Sequence, residues 1–161
     1  MAKQEFQFED FLVSVNDECK DFVTNIHGTL SQDNYKTKIQ SKAGGLFISY
    51  SHPKTKRSVL NFLFRKKELW TRIYADNCGK YSDVLNVLPE IMLRQIEKAS
   101  PCKRLINPQE CNAKCVLGYD FYIGEKHYQI CRNSCFLFEV NRESIPYLFQ
   151  IIENERKERN V

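Results

Sequence analysis

Residues 111–135 read CNAKCVLGYDFYIGEKHYQICRNSC and hold four of the chain's seven cysteines, spaced C-x3-C, fifteen residues, C-x3-C. Two close thiol pairs are the usual way to offer four soft ligands to a structural zinc ion, each sulfur about 2.3 Å from the metal. Cys111, Cys115, Cys131 and Cys135 are therefore the candidate zinc ligands. An x3 spacing is permitted within such a pair, though it is less diagnostic than x2. The second pair carries a geometric condition. In a continuous strand, residues four apart stand about 13 Å from one another, too far to share an ion. Cys131 and Cys135 meet only if Arg132-Asn133-Ser134 turns the chain, and Asn and Ser are turn residues. Cys102, next to Pro101, is the substitute ligand for Cys135.

No metal is needed if these thiols are core groups. Cysteine packs as a small hydrophobe, and Ile130 and Phe136-Leu137-Phe138 flank this pair as core residues do. A thiol-dependent enzyme is a third reading. A reactive thiolate needs an accessible, electropositive setting. Cys102, before Lys103-Arg104, and Cys131, before Arg132, have basic neighbours of this kind.

A second constellation is electrostatic. Residues 1–35 carry two lysines against seven acids, and residues 36–72 carry ten Lys/Arg against Glu68 alone. Lys54, Lys56, Arg57, Arg65, Lys66, Lys67 and Arg72 are interleaved with Tyr50, Phe62, Phe64, Trp70 and Tyr74. Cations for phosphate and aromatic faces for bases are what single-stranded nucleic acid requires. In a strand meander, successive turns lie at opposite ends, so the 54–57 and 65–67 clusters should stand about 20 Å apart. They form no compact patch, but a stripe along one sheet face that includes Arg72 would join them. Solvated turns are the plainer account, so a small molecule or a protein is the expected partner ahead of nucleic acid.

Enzyme signatures are absent: there is no GxGxxG, P-loop, HExxH or GxSxG. His27, His52 and His127 are scattered, each beside an expected turn or helix end, and are read as surface groups. The many aromatics of the strands would line a small-molecule pocket if one sheet face were only partly covered.

The elements that must position these groups follow from periodicity. Phe8, Phe11, Leu12, Val15, Cys19, Phe22, Val23 and Ile26 predict an amphipathic helix over 6–26, with Gly28 as its C-terminal stop. Polar residues 29–45 read as a loop. LFISYS, SVLNFLF and ELWTRIYA predict a three-stranded antiparallel meander. A helix follows from Ser82 to Ser100, interrupted or restarted at Pro89. Residues 100–115 read as a loop. GYDFYI, HYQIC and CFLFEV predict a second meander, and Ser144 caps a final helix with Pro146 just inside it. The sum is one α+β domain over 1–161. Its antiparallel sheet is built from two three-stranded meanders, with an N-terminal helix and a helix after each meander packed on it. Segments 46–99 and 116–159 resemble each other in element order.

The pattern Cys111, Cys115, Gly118, Tyr119, Phe121, Tyr128, Cys131 and Arg132, followed by an aromatic strand and an amphipathic helix, resembles small bacterial cytosolic proteins of unknown function. The resemblance covers the last third of the chain and implies no activity. MAKQEFQFED has no secretory pattern and no run of about 18 apolar residues occurs, so a cytoplasmic protein without a membrane partner is expected. Its thiols would then be reduced. The expected function is a non-enzymatic binding domain with a Cys-ligated zinc. Nucleic-acid binding through 54–72 is the alternative.

Overall fold

A computed structural model describes residues 5–107, 109 and 114–160. The chain begins with two helices, α1 (Phe8–Val13) and α2 (Asp17–Gln32). The apolar stripe expected of a single helix runs through both: Phe11, Val15, Cys19, Phe22, Val23 and Ile26 are all buried. The break falls at Asn16, whose backbone is extended (ψ 157°). Asn is a favoured helix-capping residue, and Asp17 and Glu18 suit the dipole of a new first turn.

Gly28 does not stop the helix. It lies inside α2, and termination passes to Asn34, in the left-handed region at φ 64°. Tyr35 N–H donates to Leu30 C=O (3.0 Å) and Asn34 N–H to Ser31 C=O (3.0 Å), the double bond pattern of a left-handed helix cap. The segment read as a loop is thus the end of α2, a cap and a strand.

That strand is β1 (Lys36–Lys42), followed by β2 (Gly45–Ser51), β3 (Ser58–Arg65) and β4 (Glu68–Ile73). Next come a 3₁₀ turn (Cys78–Lys80), α3 (Ser82–Leu85) and α4 (Glu90–Lys98). Pro89 stands at the N-cap of α4, so the interrupted helix is two helices. A short α5 (Lys103–Ile106) lies in the expected loop. The hairpin β5 (Tyr119–Ile123) and β6 (Lys126–Ile130), strand β7 (Leu137–Glu139) and α6 (Ile145–Arg159) complete the described chain. No helix among the described residues is long and apolar enough to cross a membrane.

The α+β class, the antiparallel strands and the helices at the N-terminus and after the strands are as expected. The strands group differently. Five form one antiparallel sheet in the order β1-β2-β3-β4-β7, and β5-β6 is a separate two-stranded sheet. The physical cause is the turn over residues 132–136. It swings the chain away from β6 so that β7 pairs with β4, Thr71 opposite Phe138. The hairpin then packs by its rings: Tyr119 and Phe121 stand 5.2 and 5.5 Å from Phe136.

One face of the large sheet is closed. Ile48, Tyr50, Leu60, Phe62, Phe64, Leu69, Ile73 and Phe138 are buried there. Phe11 lies 5.3 Å from Phe64, and Phe22 meets Phe62 edge-on at 6.2 Å. Each such buried side chain contributes roughly 1.5–3 kcal/mol. His27, from α2, stacks on Phe8 at 3.7 Å and shares a 2.8 Å hydrogen bond with the Tyr50 hydroxyl. His52 is buried, and its Nδ1 accepts from the backbone N–H of Lys54 and of Thr55. These two histidines are structural groups; His127 alone is exposed.

Helix α6 is tied down by a carboxylate. Glu155 has no solvent exposure and accepts from Asn77 N–H (2.9 Å), Asn77 Nδ2 (2.9 Å), Tyr81 Oη (3.0 Å) and Arg159 Nε (2.8 Å). Arg159 also donates to Tyr74 C=O (2.7 Å) and to Asp76 (3.2 Å), and Asp76 pairs with Arg132.

Gly28 has no atom within 4 Å of the position a Cβ would take. An interior helical glycine costs about 0.8–1 kcal/mol relative to alanine. Gly28→Ala should therefore raise stability by about that amount, read as a higher urea midpoint with an unchanged slope.

Candidate functional site

The other face of the five-stranded sheet is the candidate site. Alternation places Lys36, Lys38, Gln40 and Lys42 of β1 on it, with Phe47, Ser49 and Ser51 of β2. Cross-strand pairing carries the same face through Asn61, Leu63 and Arg65 of β3, Trp70 and Arg72 of β4, and Leu137 and Glu139 of β7. Apart from buried Asn61, which donates to the Tyr74 hydroxyl (3.3 Å), these side chains are exposed or half-buried.

Phe47, Leu63 and Trp70 form one row across three strands: Leu63 pairs with Trp70, and the β2–β3 register, one step beyond Ile48–Phe62, sets Phe47 beside Leu63 in the same hollow. Adjacent strands are about 4.8 Å apart, so the two rings are separated by about 10 Å. Each outward aromatic carries a cation. Lys42 Nζ lies 5.5 Å from the Phe47 ring, the Arg65 guanidinium 4.8 Å from Trp70 and the Arg132 guanidinium 5.0 Å from Tyr74. Arg132 is pinned by Asp76, but Lys42 and Arg65 are exposed and make no ion pair among the described residues. Two hollows open along the row. One, of about 520 Å³, includes Lys42, Phe47, Leu63 and Arg72. The other, of about 420 Å³, lies between Trp70 and the C-terminal turn of α4, which contributes Gln95 and Lys98.

The basic residues singled out in the sequence distribute over this frame. Lys54 and Lys56 are in the β2–β3 turn and Arg57 just after it. Lys66 and Lys67 form the β3–β4 turn at the opposite end of the strands. Arg65 and Arg72 lie on the open face between them. The acidic groups nearby are Glu139 on the face, Glu68 beside the turn, and Asp76, 3.9 Å from Arg57. Sequence reasoning missed Lys36, Lys38 and Lys42, because their segment reads as polar loop; the signal was the alternation K-T-K-I-Q-S-K. It also missed Phe47, Gln95 and Lys98 as neighbours of Trp70.

The cysteines separate. The chain does turn at Arg132–Ser134: Cys135 N–H donates to Cys131 C=O (3.0 Å). Yet Cys135 is fully buried, while Cys131 is half-buried. Burial pushes the Cys135 thiol well up, with the charges of Cys78 and Cys131 adding to it. Cys78 is pushed up to about 12 and Cys19 to about 11, chiefly by burial. Protonated, buried thiols are the reverse of an activated nucleophile. Cys102 is buried and its sulfur accepts from Gly118 N–H at 3.4 Å. Its backbone N–H donates to Gln129 C=O, and Cys131 N–H to Ser100 C=O, which aligns residues 100–102 beside 129–131. Cys115 is half-buried next to Val116. Cys111 lies outside the described residues. Among the described residues, no three His, Cys, Asp or Glu side chains are grouped to hold a metal ion.

No protein-family model matches this chain, and no curated protein or solved structure is significantly similar to it. The chemistry of the open face therefore carries the functional reading.

Lys66 and Lys67 both hold positive φ, 51° and 67°. A two-residue hairpin turn of this kind favours Asn-Gly, and a side chain in the left-handed region costs roughly 1–2 kcal/mol. The double replacement Lys66→Asn and Lys67→Gly should raise the urea midpoint, by about 1 kcal/mol or more in stability.

Proposed function

We propose that this protein is a non-catalytic binding domain that holds single-stranded nucleic acid on the open face of its large sheet. The observation that carries this is the pairing of two outward aromatic rings, Phe47 and Trp70, each with an exposed cation on one solvent-facing surface. An exposed cation–π contact is worth about 0.5–1 kcal/mol. A base stacked on an aromatic side chain is worth about 1–3 kcal/mol. A base therefore displaces Lys42 from Phe47, or Arg65 from Trp70, and frees that cation to meet a phosphate. Lys36, Lys38 and Arg72 extend the positive field along the face. Proteins and uncharged small molecules make less use of this charge, which moves nucleic acid ahead of them. A cytoplasmic setting belongs to the proposal, since it supplies such strands and keeps the thiols reduced.

Trp70 is the chain's one tryptophan, so its fluorescence reports the site directly. Titration with an eight-nucleotide oligothymidylate at low salt should quench it. Affinity should fall steeply with salt, because phosphate contacts release counterions. The variants Arg65→Glu and Arg72→Glu should each weaken binding about tenfold or more and flatten the salt slope. Unquenched fluorescence together with no retention on immobilised oligothymidylate would sink the proposal.

Zinc stands as a second reading of the cysteines, resting on their spacing and on the bend at 131–135, where Cys135 N–H donates to Cys131 C=O. Protein purified without chelator should then contain one zinc per chain by elemental analysis. Folded, metal-free protein would remove this reading and leave the open-face proposal untouched.

A further inference from the structure

The cleft of about 420 Å³ at the α4 end of the open face is walled by a helix as well as floored by the sheet. Its floor is the Trp70 ring with Leu137 beside it, and its wall is α4. The α4 side chains that reach it are Gln95 and Lys98. Gln95 is half-buried, and its side-chain amide makes no hydrogen bond to the described residues. Its amide presents a donor and an acceptor side by side. Lys98 is exposed and has no carboxylate partner among the described residues. Arg65 and Lys98 both line the cleft, and Glu139 pairs across the strand with Trp70, so two cations stand against one acid there. The volume falls within the roughly 300–1,000 Å³ of small-ligand sites.

A ring platform, a solvent-reachable amide and two cations around one hollow match a single nucleotide. The ring takes the base, the cations take its phosphate, and the amide reads the base edge. A glutamine amide pairs with adjacent donor and acceptor groups, and an unpaired adenine presents that pattern on two edges, N6–N7 and N6–N1, where each pyrimidine presents it on its Watson–Crick edge alone. We propose that this cleft is a base-reading subsite that takes one unstacked adenine from the bound strand, with Gln95 as the specificity-determining residue. The subsite rests on the proposal that the open face binds single-stranded nucleic acid.

The test uses the full chain, with Trp70 fluorescence and an independent anisotropy measurement on labelled strands. The strands are eight-nucleotide oligothymidylates carrying one central dA, dG or dC, compared with the all-dT strand, so that base stacking within the free strand stays low. The dA strand should bind about tenfold tighter than the others. Gln95→Ala should bring all four strands to equal affinity and leave the salt slope unchanged, because the phosphate contacts remain. Binding with a normal salt slope but no preference for dA, or a preference that survives in Gln95→Ala, overturns the subsite and leaves the open-face proposal standing. Absence of binding by every strand overturns both. Gln95 is a half-buried surface residue of α4, and the circular dichroism of the variant should match the parent, which separates lost reading from lost folding.

Discussion

The Glu155 carboxylate is the constraint from which the site's geometry follows. A buried ion is costly unless its lone pairs are filled, and four donors fill those of Glu155: two from Asn77, one from Tyr81 and one from Arg159. Removing one partner of such a pair costs roughly 3–5 kcal/mol, so the 74–81 segment and α6 are fixed as a unit. Arg159 hands the constraint to Asp76, and Asp76 hands it to Arg132. Arg132 leans on both the Tyr74 and the Tyr119 rings. It thereby joins the β4 edge of the open face to the hairpin and to the turn that delivers β7.

With β7 delivered to β4, the sheet has five strands and two unequal faces. The closed face is filled by Phe11, Phe22 and their neighbours from α1 and α2. Among the described residues the open face has no comparable cover, so its aromatics meet water and draw cations over themselves. This is a low-energy arrangement that a better π-surface displaces. Proximity of Arg65 to Trp70 and of Lys42 to Phe47 thus serves two states, a capped ring without ligand and a freed cation with ligand. The left-handed Lys66-Lys67 turn fits the same economy: an Asn-Gly turn would be less strained but would remove two cations from the end of the face.

Much of this was legible one element at a time. The stripe of Phe11, Val15, Cys19, Phe22 and Ile26 announced the N-terminal helices, because a 3.6-residue period is a local property. The Ser144-Pro146 start of α6 was equally local. Gly28 misled because a glycine can end a helix or sit within one, and Asn34 made the better cap. β1 escaped because an edge strand guarded by lysines reads like loop. Arg65 and Arg72 were identified as cations of a stripe, but their companions Lys36, Lys38 and Lys42 come from a segment some thirty residues away that reaches them only through strand pairing. Glu155 gave no sign at all, since nothing in ENERKER separates a buried glutamate from its exposed neighbours.

The sequence by itself determined the α+β class, the antiparallel strands, the positive charge of 36–72, and the condition that Arg132-Asn133-Ser134 must turn for Cys131 and Cys135 to approach. Those follow from side-chain periodicity, charge and turn chemistry, which act over a few residues. The tertiary structure alone decided that the turn sends Cys135 into the core, that β7 leaves the hairpin for β4, and that α4 walls a cleft over Trp70. These depend on which surfaces meet. Burial, desolvation and cross-strand register join residues far apart in the chain, and no local pattern encodes that choice.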